Sequence, residues 1–188
     1  MKKLPAGFEY SNYGYKLRFV KEDDALFIVR LRTQDCTKGF LHDTSTDVQD
    51  QIEWTKNYKV RESKGEDYYF VVERDCIPLG LIRIYNIHEE TFTLGSWVMS
   101  PDASLGAILA STILVREVAF DILELEIEDA YDGVNVLNKK VLKFNLDWGM
   151  KPYKYYTNEL GDFVALKMTK DDYKVNVKKK IKLLNSCL

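Results

Sequence analysis

Between Phe92 and Met150 the chain runs through an apolar strand pattern (FTLGSWVM), a break at Pro101, a turn of small residues around Gly106 and a long apolar helix. A second strand pattern (LELEIEDAY) and an asparagine-started helix ending at Gly149 follow. A strand that feeds a small-residue turn and then a helix gathers unpaired backbone N–H groups and the positive end of a helix dipole around one point. An anionic phosphate fits such a point. The helix, from about Ser104 to Ile122, is apolar nearly all round, so it must lie against a sheet and be covered again on its outer side.

The flanking sequence supplies that sheet. Tyr15 to Val20 reads as a strand, and Glu22, Asp23 and Asp24 open a helix running to about Arg32. Gly39 to Thr46 is loop, and a second helix starts at Thr46 or Asp47 and ends before Lys64-Gly65. Asp67–Glu73, Pro78–Ile87 and Phe92–Met99 form an antiparallel meander, Leu125–Tyr131 is a further strand, and Asn135–Trp148 a helix. Pro152–Leu160 and Phe163–Thr169 pair across Gly161-Asp162, and the tail from Lys170 is helical. The expected fold class is mixed α/β (α+β), a mixed central sheet of about seven strands flanked by helices.

With 188 residues, 46% of them apolar, the chain can bury a sizeable core. One domain is expected over residues 1–188, with its core at about 15–169 and a C-terminal helix at 170–185. A net charge of -2 argues against nucleic acid as partner, since phosphate binding needs clustered cations. Cys36, Cys76 and Cys187 stand at unrelated spacings, which suggests neither a disulfide framework nor a metal site. No signal peptide or membrane span is legible, so the cytoplasm is the expected location. The pattern GxxxxGK[ST] of phosphate-binding nucleotide hydrolases is absent.

Four strings carry a family resemblance: IPLGLIRIYNI (77–87), LGSWVMSP (94–101), NKKVLKFNLDWGM (138–150) and LHDTSTDVQDQIEW (41–54). In this order on these elements they resemble the GNAT family of acyl-CoA N-acetyltransferases, the last string being similar to the ribosomal-protein-alanine acetyltransferase branch. The resemblance covers about residues 15–169 and implies acetyl-CoA as cosubstrate. It implies CoA contacts from Val98 and Met99 at the strand end, from Ala103, Ser104, Leu105, Gly106, Ala107 and Ile108 at the helix start, and from Asn138 and Val141 on the opposing side. The oxyanion donor would be a backbone N–H at Val98 or Met99. Two departures stand out. The loop SPDASLGAILAS lacks the family's basic or amide side chain, leaving the backbone amides to hold the phosphates. The position of the family's tyrosine acid, seven residues after Asn138, is Asn145.

The resemblance implies direct attack of an amine on a thioester, which requires a base for the amine and stabilisation of the oxyanion. His42, beside Asp43, is either that base or a solvated loop residue. Trp54, Tyr85 and Trp97 line an acceptor pocket or belong to the core. Tyr85 is the stronger site candidate because, with Arg83, it alternates away from Ile82 and Ile84. The expected acceptor is therefore a small-molecule amine, with His42, Asp43, Trp54 and Tyr85 as its wall and an amino sugar or nucleotide-linked amino sugar favoured. A protein N-terminus and a non-catalytic acyl-CoA-binding module are the alternatives, and the oligomeric state, a homodimer included, is left open.

Overall fold

The computed structural model describes residues 2–34 and 45–187. Among these residues, strands β1 (Glu9–Asn12), β2 (Tyr15–Phe19), β3 (Tyr68–Arg74), β4 (Ile77–His88), β5 (Thr91–Met99), β6 (Ile127–Asn135), β7 (Lys151–Asn158) and β8 (Gly161–Thr169) form one sheet. Its order is β1-β2-β3-β4-β5-β6-β8-β7. Helices α1 (Ala25–Arg32) and α2 (Val48–Lys64) cover one face, while α3 (Leu105–Glu117), α4 (Lys139–Asp147) and α5 (Lys170–Asn185) cover the other.

Alternation explains how β3 serves both layers. Tyr68, Phe70 and Val72 pack under α3, whereas Tyr69 and Val71 pack with Ile28, Leu31 and Tyr58 beneath α1 and α2. A strand covered on both faces reads as continuously apolar. α3 is as buried as its composition demands, with Ala107, Ala110, Ile113 and Leu114 at most 1% exposed. It ends in a π-helical turn, Val118–Ile122.

The described residues form eight strands rather than about seven. The unexpected one, β1, pairs with β2 across Tyr13-Gly14, both at positive φ, and its polar EYSN sequence carries little apolar alternation. The turn between β7 and β8 falls at Glu159-Leu160, where the Asn158 side chain accepts from the Leu160 N–H at 2.8 Å, ahead of the expected Gly161-Asp162. β6 continues to Asn135, and α4 begins only after Asn138. Asp47 caps α2, whose end falls at Gly65 in the left-handed conformation, as the sequence indicates.

Among the described residues β5 and β6 are the only parallel neighbours, and they pair only at Thr91–Ile127 and Phe92–Glu128. Beyond Thr93, whose hydroxyl donates to the Asp129 carbonyl at 2.8 Å, β5 pairs with β4 alone and β6 with β8 alone. The sheet therefore splits into a V. At its vertex Glu128 accepts from Arg116 of α3 at 2.7 and 2.9 Å, both residues being 2% exposed, and the Arg116 guanidinium lies 4.5 Å from the Trp148 ring.

Candidate active site

The arms of the V owe their shape to inserted residues. Between Arg83–Gly95 and Leu81–Val98, three steps along β5 match two along β4, and the surplus residue sits at Ser96, φ 47°. The bulge reverses the alternation. Leu94 faces α3 before it and Trp97 after it, while Val98 turns to the α1/α2 face. On β6, four steps from Ala130 to Val134 match two on β8, which arches that strand away as well.

The far end of β5 presents backbone donors. Ser100 N–H is bonded to the Leu79 carbonyl at 2.8 Å, so alternation turns the Met99 N–H the other way, toward the open V. Val98 itself is 7% exposed and packs beside Leu81. Ser104 caps α3, its hydroxyl accepting from the Ala107 N–H at 3.2 Å. The amides of Leu105 and Gly106 remain at the helix start without an intrahelical acceptor. Gly106 is also needed for packing, because a Cβ there would stand 3.0 Å from the Tyr15 hydroxyl and 3.5 Å from Cys187 Cβ. A groove of about 220 Å³ beside this turn is lined by Tyr15, Arg74, Asp102 and Ser104 among others, and the Arg74 guanidinium lies 5.3 Å over the Tyr15 ring. Arg74, which the sequence reading passed over, thus brings a cation to a loop with no basic side chain of its own.

Across the V, Asn138 caps α4 by accepting from the Val141 N–H at 3.3 Å, which leaves its amide N–H groups for other partners. Val141 is half-buried on the first turn of that helix, and Asn145 is half-buried near its end. Trp97 fills the space between α3 and α4, its indole N–H donating to the Ser111 hydroxyl at 3.1 Å and its ring 4.7 Å from that of Phe144.

The other face of the V carries Tyr85. Its ring lies across Gly95 of β5, where a Cβ would approach the ring at 2.7 Å and the hydroxyl at 2.9 Å. Burial first, then Asp132, pushes the Tyr85 phenol up to about 12, opposed by Arg83. It is a protonated donor at neutral pH. Next to it a cavity of about 450 Å³ is lined by Asn86, His88, Thr93, Asp129 and Tyr131 among others, and Tyr153 donates to the Asp129 carboxylate at 2.7 Å. His88, the last residue of β4, thus borders a cavity. Trp54 joins Tyr85 through Arg83, whose guanidinium is 5.7 Å from the first ring and 5.0 Å from the second. His42, Asp43 and Cys36 lie outside the described residues.

A splayed parallel pair with a helix N-terminus at one arm fits an extended phosphate-bearing ligand threaded through the V. The family model described as an acetyltransferase (GNAT) domain matches residues 16–147. The chain belongs to the GNAT family. It is an N-acyltransferase, and acetyl-CoA is its cosubstrate. No curated protein sequence matches the chain. Among solved structures, apo FdhC, described as a nucleotide-linked sugar GNAT, is 32% identical with a TM-score of 0.79, the match covering 95% of this chain and 99% of that one. RimJ of Mycobacterium smegmatis, solved with CoA-disulfide, is 16% identical over 91% of this chain and 89% of its own, TM-score 0.77. Spermidine N-acetyltransferase of Vibrio cholerae, solved with CoA and spermine, is 18% identical over 87% and 99%, TM-score 0.72. The last two speak to the fold alone. No described helix of this GNAT chain is long and apolar enough to cross a membrane.

Proposed function

We propose that this GNAT chain acetylates the primary amine of a small molecule, an amino sugar or nucleotide-linked amino sugar, in the cytoplasm. The observation that carries the reading is the wall beside the V. Tyr85 is laid over Gly95 next to a cavity lined by the hydroxyl side chains Thr91, Thr93 and Tyr131 and the Asp129 carboxylate, a lining that suits a polyhydroxylated ring bearing an amine. The likeness to a nucleotide-linked sugar GNAT along nearly the whole chain supports the same acceptor.

Acetyl-CoA supplies an activated thioester, so a neutral amine displaces the thiolate directly. The amides of Leu105 and Gly106, with the α3 dipole, would hold the phosphates, and Ala103, Ala107 and Ile108 keep that turn small and apolar. Asn138 and Val141 would line the opposite arm. The Met99 N–H, fixed by the strand and needing no reorganisation, would bond the carbonyl oxygen as it gains charge. Tyr85 stays protonated and would donate to the acceptor or to the departing sulfur. Asp129 and Asp132 place negative charge where the amine enters and would take its proton through water; such base assistance is worth ~100 to 10,000-fold. His42, beside Asp43 in the sequence, is a second candidate for the base.

A panel of amines assayed by thiol release, with products identified by mass, tests this reading. Amino sugars or their conjugates should react, while peptides beginning with Ser or Ala stay inert. Peptide acetylation with every amino sugar inert would reject the acceptor.

A further inference from the structure

We infer that Trp54, Arg61 and Arg83 form a site for a phosphoryl group of the acceptor, so that the substrate is a phosphorylated or nucleotide-linked amino sugar rather than a free one. This rests on the reading that the acceptor is an amino sugar.

The site is built around Asp67, a carboxylate 2% exposed at the start of β3. It accepts from Arg83 Nε at 2.6 Å, from Arg83 Nη2, and from Arg61 Nε of α2 at 3.1 Å. One arginine would neutralise it; the second leaves the cluster with one net positive charge in a chain whose net charge is -2. Among the described residues, the remaining N–H groups of both guanidinium ions meet no acceptor. Both guanidinium groups also lie against an aromatic ring, with Arg61 5.5 Å and Arg83 5.7 Å from the centre of Trp54.

Access decides between a structural and a binding role. The Arg61 side chain is 37% exposed, that of Arg83 20%, and Trp54 36%. A charge kept solely to satisfy Asp67 has no need of a guanidinium edge as exposed as that of Arg61. That edge matches the oxygens of a phosphate, and its weak hydration lowers the cost of stripping water from the contact. The indole, stacked on Tyr58 with ring centres 5.7 Å apart and lying under both guanidinium groups, holds the two cations in place. The position suits the chemistry, because Arg83 stands one strand repeat, about 7 Å, from Tyr85 on the same face. Its guanidinium is 5.0 Å from the centre of the ring that crosses Gly95 at the lip of the V. A phosphoryl group held at Arg83 would thus leave the rest of the acceptor directed to the opening. A polycationic amine would meet like charge there.

The test compares an amino sugar, its 1-phosphate and its nucleoside-diphosphate conjugate as acceptors, by thiol release, in the wild-type chain and in Arg61→Gln. Asp67 keeps Arg83 in that variant, so the fold is retained. We expect kcat/KM to favour the phosphorylated forms by at least about tenfold, and Arg61→Gln to cut that preference by about tenfold, with the change in KM. Lys56→Gln, which removes an exposed charge elsewhere on α2, should leave the preference alone. Direct titration with a nucleoside diphosphate should show binding that Arg61→Gln weakens and added salt suppresses. A larger gain from the conjugate than from the 1-phosphate would identify the nucleotide as the source of the phosphate. Equal use of the free and phosphorylated sugars, or a preference unmoved by Arg61→Gln, would overturn the inference while leaving the amino-sugar reading intact. Failure of all three acceptors would overturn both.

Discussion

Replacing Glu128 by Gln should destabilise the chain heavily, because the Arg116–Glu128 pair sits at the vertex where the sheet divides. The two side chains are each 3% exposed and are joined through two hydrogen bonds, at 2.7 and 2.9 Å. Gln keeps the shape and one acceptor oxygen but loses the charge, leaving a buried guanidinium whose remaining partners, that amide oxygen, the Thr112 carbonyl at 3.4 Å and the Trp148 ring, carry no negative charge. Uncompensated charge at such a site costs ~3 to 5 kcal/mol. In a chain of 188 residues, each kcal/mol lowers Tm by roughly 2–4 °C, so the expected fall is about 6 to 20 °C. Removing both charges, in Arg116→Met with Glu128→Leu, should recover much of this because the desolvation cost disappears with the pair. Urea unfolding followed by fluorescence would measure it. A loss below about 1 kcal/mol for Glu128→Gln would refute the reasoning, since that is the scale of a solvent-exposed ion pair.

Gly95→Ala should force Tyr85 off β5, because the new methyl would stand 2.7 Å from its ring, and kcat should fall by about tenfold or more with Tm nearly unchanged. An unaltered kcat would remove Tyr85 from the site. Alkali should also weaken the fold. The phenols of Tyr10 and Tyr85 are each raised from 10.0 to about 12, so the folded state holds protons that the unfolded chain releases, and stability present below pH 10 is lost between there and about 12. Unfolding at pH 8 and pH 11 would check this, and equal stability at both would contradict it.

The V was legible because its parts are periodic. The apolar helix after Ser104, the strand before it and the strand after it announce a covered sheet interrupted by a helix N-terminus. Tyr85 was legible through alternation alone. Its neighbour Gly95 was not, since nothing in β5 states that a ring from β4 needs the room. The bulge at Ser96 escaped notice for a related reason. Its surplus residue at positive φ is a serine rather than a glycine, and it matters only through the face reversal between Leu94 and Val98. The Asp67 cluster joins α2, β3 and β4, so Arg61 and Arg83 meet only after folding. β1 was missed because an exposed edge strand buries too little to impose a pattern.

The central claim is that the V between β5 and β6 holds the acyl donor, with the Met99 amide at the reacting carbonyl and the start of α3 at the phosphates. Amide chemical-shift mapping during a titration with CoA tests it residue by residue. The largest changes are expected at Met99, Leu105, Gly106 and the first turn of α4 around Val141. Saturating CoA that leaves these four amides in place while shifting residues elsewhere, such as those around Tyr10 and Glu117, would contradict the account.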